Sequence, residues 1–399
     1  MRVLVVHNRY SSRLPSGENL AVDDEVRWLR DAGVEVIRHE VSNDDVVAGG
    51  AMARLRDGLQ AVWSLSAQRR FSQLLEDTDP DVVHVHNLFP LLTASVPAVA
   101  RRRRLPVVWT VHNFRIRCVA GTHFRDGRPC HDCRPGWRVP AAVHRCYAGS
   151  ASASALVGAA TAVYGTLARH RDVVPVAVSE EVARWLASSG GFSRARVRVK
   201  YNGVASPEGG LSPAERQDHL LYLGRLSTEK GVDHLLAAWK HVTSDVRLRF
   251  VGDGPLAGMV RDAASADRRI VKCGAVPSAD VAASILSTRA VLMPSMWQEP
   301  FGRVAAEALA AGRPVITTGQ GAASEVVDSR CGWITGTDPV ALARAIDEAA
   351  ASDEVVAEKG AAGRDRHARL FSPEATTRAL IEIYGEAIAE AGRRHRRSG

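Results

Sequence analysis

The stretch Trp297-Gln298-Glu299-Pro300-Phe301-Gly302-Arg303-Val304-Ala305-Ala306-Glu307-Ala308-Leu309-Ala310-Ala311-Gly312-Arg313-Pro314-Val315 decides the reading of this chain. An apolar run from Ala290 to Met293 precedes it and another from Pro314 to Thr317 follows, each short enough for a buried parallel strand. Between them the spacing predicts a helix that begins near Gly302 or Arg303. It ends at Gly312, the residue type usual just past a C-terminus, and Pro314 blocks continuation. The parse is strand, loop, helix, strand.

On that parse Glu299 sits in the loop and Glu307, eight residues on, lies about a turn inside the helix, so both can face one cleft. The backbone N–H groups of Phe301 and Gly302 are free at the helix start, where the positive end of the dipole makes a seat for an anion. The carboxylates cannot bind that anion, but they accept hydrogen bonds from hydroxyls. One phosphate seat with two hydroxyl-gripping carboxylates suits a sugar nucleotide, whereas a lone Glu would more simply cap or solvate its helix.

The pattern resembles the E-x7-E signature of retaining glycosyltransferases of family 4, and E-P-F-G and E-A-x-A-x-G-x-P-V agree with it together. The resemblance implies an α/β chain of the GT-B fold: two Rossmann-like domains facing across a cleft, with a C-terminal helix crossing back to the first. By the same resemblance Glu299 holds donor-sugar hydroxyls and the amides of Phe301 and Gly302 hold sugar or phosphate oxygens. Glu307 then holds the ribose, and Arg303 belongs to the same donor site.

At 399 residues the chain suits two domains, each with its own core. Hydrophobic content of 46% and charged content of 24% are ordinary for a globular protein. Met1 opens directly on the strand-like Val3-Leu4-Val5-Val6, with no basic n-region, and Ala151 to Leu167 reads as too weakly apolar to span a bilayer. The expectation is a cytoplasmic enzyme. The net charge of +8 is uneven: residues 1–204 carry 28 Lys and Arg against 19 Asp and Glu, and residues 205–399 carry 24 against 25. A basic N-terminal half suggests an anionic partner, such as a phosphate-bearing acceptor or peripheral contact with the inner membrane face. Arg101 to Arg104 also read as a solvated helix end, with cations near the negative dipole terminus. Aromatic content of 6% with no stacking motif among the basic residues argues against nucleic acid.

Taken in order, Val3 to His7 is a first strand, then comes a loop with Pro15-Ser16-Gly17-Glu18, then a helix on Leu20, Val22, Val26 and Leu29 that stops at Gly33. A loop after a first strand in a doubly wound sheet faces the ligand crevice. Gly17 is either a turn glycine or a donor contact; the family's loop carries two glycines where Ser16-Gly17 stand. Further strands are Val34 to His39, Asp81 to His86 and Pro106 to His112. His86 and His112 both end strands, where a neutral imidazole can accept a proton or bind a hydroxyl. Thr110-Val111-His112-Asn113 resembles the family segment whose histidine touches the donor sugar, so His112 is favoured over His86, and Asn113 joins the acceptor side.

Cys118, Cys130, Cys133 and Cys146 follow at spacings x11, x2 and x12 among Gly and Pro. They read as a structural zinc site or as a reduced, metal-free insertion at 118–146. No metal or other cofactor is expected for catalysis, because the resemblance assigns diphosphate neutralisation to side chains and a helix end. Cys273 and Cys331 read as small core residues.

Residues 205–217 read as a linker between an acceptor domain (1–204) and a donor domain (218–372), followed by a crossover helix and basic tail (373–399). The tail from Arg393 to Arg397 is expected to be disordered. After a strand from His219 to Leu223, Gly224-Arg225 to Lys230-Gly231 puts two cations at a strand end, as a diphosphate leaving group requires. The segment resembles the family's G-R-x-x-x-x-K-G loop, which makes Arg225 and Lys230 the clamp. Cys273 to Val276 would lie beside the nucleobase. The implied reaction moves a glycosyl group with retention from a nucleotide-diphosphate sugar, UDP before GDP, to an acceptor in natural-product, glycolipid or polysaccharide biosynthesis. A sugar-nucleotide epimerase of the same fold and a non-catalytic sugar-nucleotide sensor are the competing readings.

Overall fold

Short runs of Val, Ile and Leu bounded by Gly, Pro and Asn alternate with helical periodicity along the chain, and they fold as parallel sheets flanked by helices. The computed structural model describes residues 1–12, 16–45, 62–134, 137–207 and 218–398. By contacts it divides into two units. The first comprises Met1–His123, Cys130–Gly203 and Thr376–Gly399; the second comprises Phe124–Pro129 and Val204–Ala375. Most of the segment read as a linker, 208–217, lies outside the described residues, as do 13–15 in the glycine loop and 135–136 in the cysteine segment.

In chain order the first strands are β1 (Arg2–Arg9), β2 (Glu35–Ser42), β3 (Val82–Val85), β4 (Val107–Val111), the two-residue β5 (Phe124–Arg125) and β6 (Arg128–Pro129), β7 (Val173–Ala177) and β8 (Arg198–Val199). β5 and β6 form a small antiparallel hairpin; the others form one parallel sheet ordered β2-β1-β3-β4-β7-β8. The second unit carries β9 (His219–Leu223), β10 (Arg247–Val251), β11 (Ile270–Gly274), β12 (Ala290–Met293), β13 (Val315–Thr317) and β14 (Gly332–Ile334). Its sheet is also parallel, ordered β11-β10-β9-β12-β13-β14. Strand order reverses between β1 and β3 in one sheet and between β9 and β12 in the other. At such switch points the neighbouring loops run to opposite faces and leave a crevice at the carboxyl ends of the strands.

The first core packs Val3, Val5, Val108 and Val176 of the sheet against Val22, Val26 and Leu29 of the helix Gly17–Asp31. The helix Pro373–Ser398 closes it with Leu380, Ile383, Tyr384 and Ala387, one stripe at helical spacing. Each large side chain fully buried there contributes about 1.5–3 kcal/mol. This helix runs through Ser398, so the basic tail is helical rather than disordered. Arg394 fastens it, donating to the Arg171 carbonyl and to Asp172 Oδ1, both at 2.8 Å.

Three further expectations need correction. Leu20 is exposed, and Glu25 takes a place on the buried face of its helix. Gly17 is not in the loop but is the first residue of the helix, which Ser16 caps by accepting from the Asn19 amide. Cys331 is buried, but Cys273 is exposed, because β11 is an edge strand whose residues alternate between core and solvent. Arg101 and Arg102 do lie in the last turn of the helix Ser95–Arg102. The helix Ala151–Ala168 is long and apolar enough, by length and composition, to cross a membrane, although one face is buried in the first unit.

Candidate active site

Each switch point carries a cluster of polar side chains. In the second unit the loop after β9 and the loop after β12 are stitched together through backbone: the amides of Met296 and Trp297 donate to the Glu229 carbonyl at 3.0 and 3.3 Å. Gly231, at φ 73°, lies so close to Pro294 that a Cβ would stand 1.8 Å from its carbonyl oxygen. Only glycine fits there. On the far side Gly321 also packs closely, its would-be Cβ 2.4 Å from the Glu299 amide nitrogen, and the Ala322 amide donates to the Glu299 carbonyl at 2.8 Å. Close approaches that depend on glycine therefore fix the Glu299 backbone.

The Glu299 side chain is 3% exposed as a residue, and its Oε1 accepts from Lys230 Nζ and from Ser295 Oγ, both at 2.6 Å. Burial pushes its carboxyl up, but the Lys230 ammonium and the hydrogen bonds from Lys230 and Ser295 outweigh that and hold it below the ordinary value. Lys230 also rests over the Trp297 ring, 4.8 Å from the centroid. Glu307 and Arg303 form a second pair on the helix Arg303–Ala310, Nε to Oε1 at 2.8 Å, and Gly302 precedes that helix at φ 89°. Phe301 is buried against Phe371.

The two predicted clamp cations differ: Lys230 is held by Glu299, whereas the Arg225 side chain is 63% exposed and comes within 4.0 Å of Glu229. Val276 follows the edge strand that carries Cys273.

In the first unit β1 carries His7 and Asn8 just before its last residue, Arg9, β3 leads into His86 and β4 into His112. His86 Nδ1 and His112 Nε2 lie 2.9 Å apart with their rings stacked, so the two strand-end histidines are brought together. Behind them sits a set that sequence reasoning missed. Glu25 and Lys200 form a buried ion pair through Glu25 Oε2, each 5% exposed. Glu25 Oε1 lies 3.3 Å from both His84 Nδ1 and His86 Nε2, and the Tyr384 hydroxyl lies 2.6 Å from His84 Nδ1. Burial would raise Glu25, but the Lys200 ammonium outweighs it and holds the carboxyl well below its ordinary range. Burial pushes His84 down to about 4 and His86 to about 3, so both are neutral.

Glu25, His84 and His86 are the one set of three ligand atoms within 4.8 Å of one another among the described residues. The Lys200 ammonium on the same carboxylate supplies the positive charge there, which argues against a metal ion. The four cysteine sulfurs form no such set: Cys118, Cys130, Cys133 and Cys146 are partly exposed thiols. Their segment is held instead by bonds such as Arg117 Nε to the Cys133 carbonyl at 2.8 Å and His123 Nδ1 to the Cys130 carbonyl at 2.9 Å.

A pocket opens beside His112, lined also by Glu18, His86, Asn113, Arg115 and Tyr164. Glu18 was likewise missed. It accepts from Asn113 Nδ2 at 3.1 Å and Tyr10 Oη at 3.3 Å, and burial pushes its carboxyl up to about 7 despite those bonds and the nearby Arg115. The pocket thus pairs a neutral imidazole with a carboxyl near its titration point.

Two parallel doubly wound sheets, each gathering its polar side chains at the point where strand order reverses, define a chain of the GT-B fold class. Its relatives narrow this. Residues 16–206 match the family model described as Glycosyltransferase Family 4, and residues 217–352 match that described as Glycosyl transferases group 1. The chain belongs to this family and is a glycosyltransferase. It is 27% identical over 317 residues to the glycogen synthase of Mycobacterium tuberculosis, covering 76% of this chain and 68% of that one. It is 28% identical over 327 residues to the 2-deoxystreptamine glucosyltransferase of Streptomyces kanamyceticus, covering 77% and 79%. Among solved structures it is similar in fold to Anabaena Alr3699/HepE in complex with UDP and glucose, with a TM-score of 0.68 and 18% identity over 97% of this chain and 100% of that chain.

Proposed function

We propose that this enzyme transfers a glycosyl group, with retention, from a nucleoside-diphosphate sugar to an acceptor hydroxyl, with UDP-sugars ahead of GDP-sugars. The observation that carries this is the Lys230–Glu299–Ser295 cluster at the β9/β12 switch point. A buried, ionised carboxylate is an acceptor without a donor of its own, which suits sugar hydroxyls. Lys230 and the exposed Arg225 are the cations that would meet the charge growing on a departing diphosphate. Glu307 and the amides at the start of the helix Arg303–Ala310 would hold the ribose and phosphate oxygens. In the first unit, His112, with His86 and Asn113 beside it, would take the acceptor or donor sugar.

The UDP complex of the Anabaena neighbour supports a uridine donor, and the 2-deoxystreptamine glucosyltransferase supports a natural-product acceptor. For peripheral membrane contact the support is a patch in the first unit: Trp137, Val139 and Val143 are 50–69% exposed and lie among Arg134 and Arg145.

Thermal-shift titration with UDP and GDP tests the donor. A diphosphate at about a hundred times its Kd stabilises by roughly 2.7 kcal/mol. Lys230→Ala is expected to abolish that shift. The same substitution should lower turnover by a factor on the order of 10²–10³. If neither diphosphate stabilises the protein, the donor assignment is wrong. An epimeric sugar nucleotide formed without acceptor and without free diphosphate would favour the epimerase, and binding without turnover the sensor.

A further inference from the structure

The histidines behind the pocket are joined in a chain whose proton positions can be worked out from one end. Glu25 is ionised: its Oε2 holds the Lys200 ammonium, and both groups are sealed from solvent. A carboxylate only accepts hydrogen bonds, and although the 3.3 Å approach of His86 Nε2 to Glu25 Oε1 is too poorly aligned to count as one, the negative charge facing that nitrogen favours the N–H there. The reverse arrangement would set a ring lone pair against a carboxylate oxygen. A neutral imidazole has a single N–H, which leaves His86 Nδ1 as a lone pair. His112 Nε2, 2.9 Å from it, must then be the donor. One lone pair remains, on His112 Nδ1.

We propose that Glu25, acting through His86, fixes His112 in the Nε2–H tautomer, so that His112 offers the pocket a hydrogen-bond acceptor, suited to a substrate hydroxyl and unsuited to a carbonyl or phosphate oxygen. Glu25, His86 and Lys200 are positioning residues in this scheme; none needs to touch substrate. Setting a catalytic imidazole's tautomer through a buried carboxylate is a general device, because the wrong tautomer presents a donor where an acceptor is required. The identity of the ligand as a hydroxyl rests on the transfer reaction proposed above; the tautomer itself does not.

Long-range ¹H–¹⁵N correlation spectra of the histidine rings, recorded on the full chain near neutral pH, read the tautomer directly. His112→Gln and His86→Gln assign the signals. The expected result is His112 protonated at Nε2 alone; protonation at Nδ1, or an even mixture, overturns the proposal. The second arm is the charge-neutral pair Glu25→Gln with Lys200→Met, whose amide can either donate to or accept from His86. It should yield mixed tautomers at His112 and a turnover lower by roughly ten-fold, the scale of one misplaced hydrogen bond, with donor KM close to wild type. Glu25→Asp, which keeps the carboxylate, should recover most of the turnover. Unchanged turnover in the double variant overturns the relay. The two readings fail separately: a wild-type spectrum of the expected tautomer in a protein that transfers no sugar would sink the transfer reaction and leave the relay standing.

Discussion

Lys200→Met tests the deepest electrostatic claim in the structure. The substitution keeps an unbranched apolar stem one atom shorter and removes the ammonium, leaving the Glu25 carboxylate buried beside two neutral imidazoles. Breaking one side of a buried ion pair costs about 3–5 kcal/mol, because the remaining charge has lost both water and partner. The cost must depend on pH in a defined direction. In the wild type the Glu25 carboxyl is depressed, so its contribution is fully present above the ordinary carboxylate value and is lost as pH falls through the depressed one. Without Lys200 burial is no longer outweighed, the carboxyl rises, and it can escape its penalty by taking up a proton. The gap between variant and wild type is therefore widest at alkaline pH and narrows toward about pH 5. Glu25→Gln combined with Lys200→Met should cost less than Lys200→Met alone, since no orphaned charge remains. With two units, a single unfolding curve is ambiguous. Amide hydrogen exchange in β1 and β3 reports on the first unit itself. A loss under about 1 kcal/mol, or one that does not shrink in acid, would refute the reasoning.

Other outcomes follow from the same geometry. Glu18 carries a raised carboxyl, so the wild type loses stability as pH climbs from the usual carboxylate range to about 7. Glu18→Gln should thus melt higher than wild type at pH 8 by an amount worth about 1–2 kcal/mol, discounted because Glu18 keeps some solvent contact, and should match it in acid. Gly231→Ala combines a left-handed backbone with a steric overlap against Pro294 and should cost about 2–4 kcal/mol, with donor binding lost alongside; a stable, active Ala variant would contradict the placement of Lys230. Arg225→Ala should leave stability within about 0.5 kcal/mol of wild type while lowering turnover, since its side chain stands mostly in solvent; unfolding instead of slowed transfer would show a structural role.

What could be read from sequence was what is local. Glu299 and its helix were legible because strand, loop, helix and strand follow each other within 28 residues, from Ala290 to Thr317, and glycines mark the turns. Lys230 was legible as a strand-end cation. Its bond to Glu299 spans 69 positions and is set by sheet order, which periodicity does not report. Glu25 and Lys200 were illegible for the same reason at 175 positions' separation. One signal was present: Glu25 falls between Val22, Val26 and Leu29 on the apolar stripe of its helix, where an acid calls for a partner. Cys273 was misplaced because alternation alone does not say which strand lies at an edge. The tail was misread because its charge suggested solvation, whereas Arg394 is tied to the Asp172 carboxylate and to the backbone carbonyl of Arg171.

The helix Pro373–Ser398 carries a consequence for how the protein is made. Residues emerging from the ribosome up to Gly203 supply every strand of the first sheet, yet Leu380, Ile383 and Tyr384, which complete its core, are translated only after Ala375. The first unit must wait, with an apolar face uncovered, while roughly 170 intervening residues are synthesised at about 5–20 per second. During that interval it is a natural client for a chaperone, and nonsense mutations ahead of Thr376 would strand it in that state.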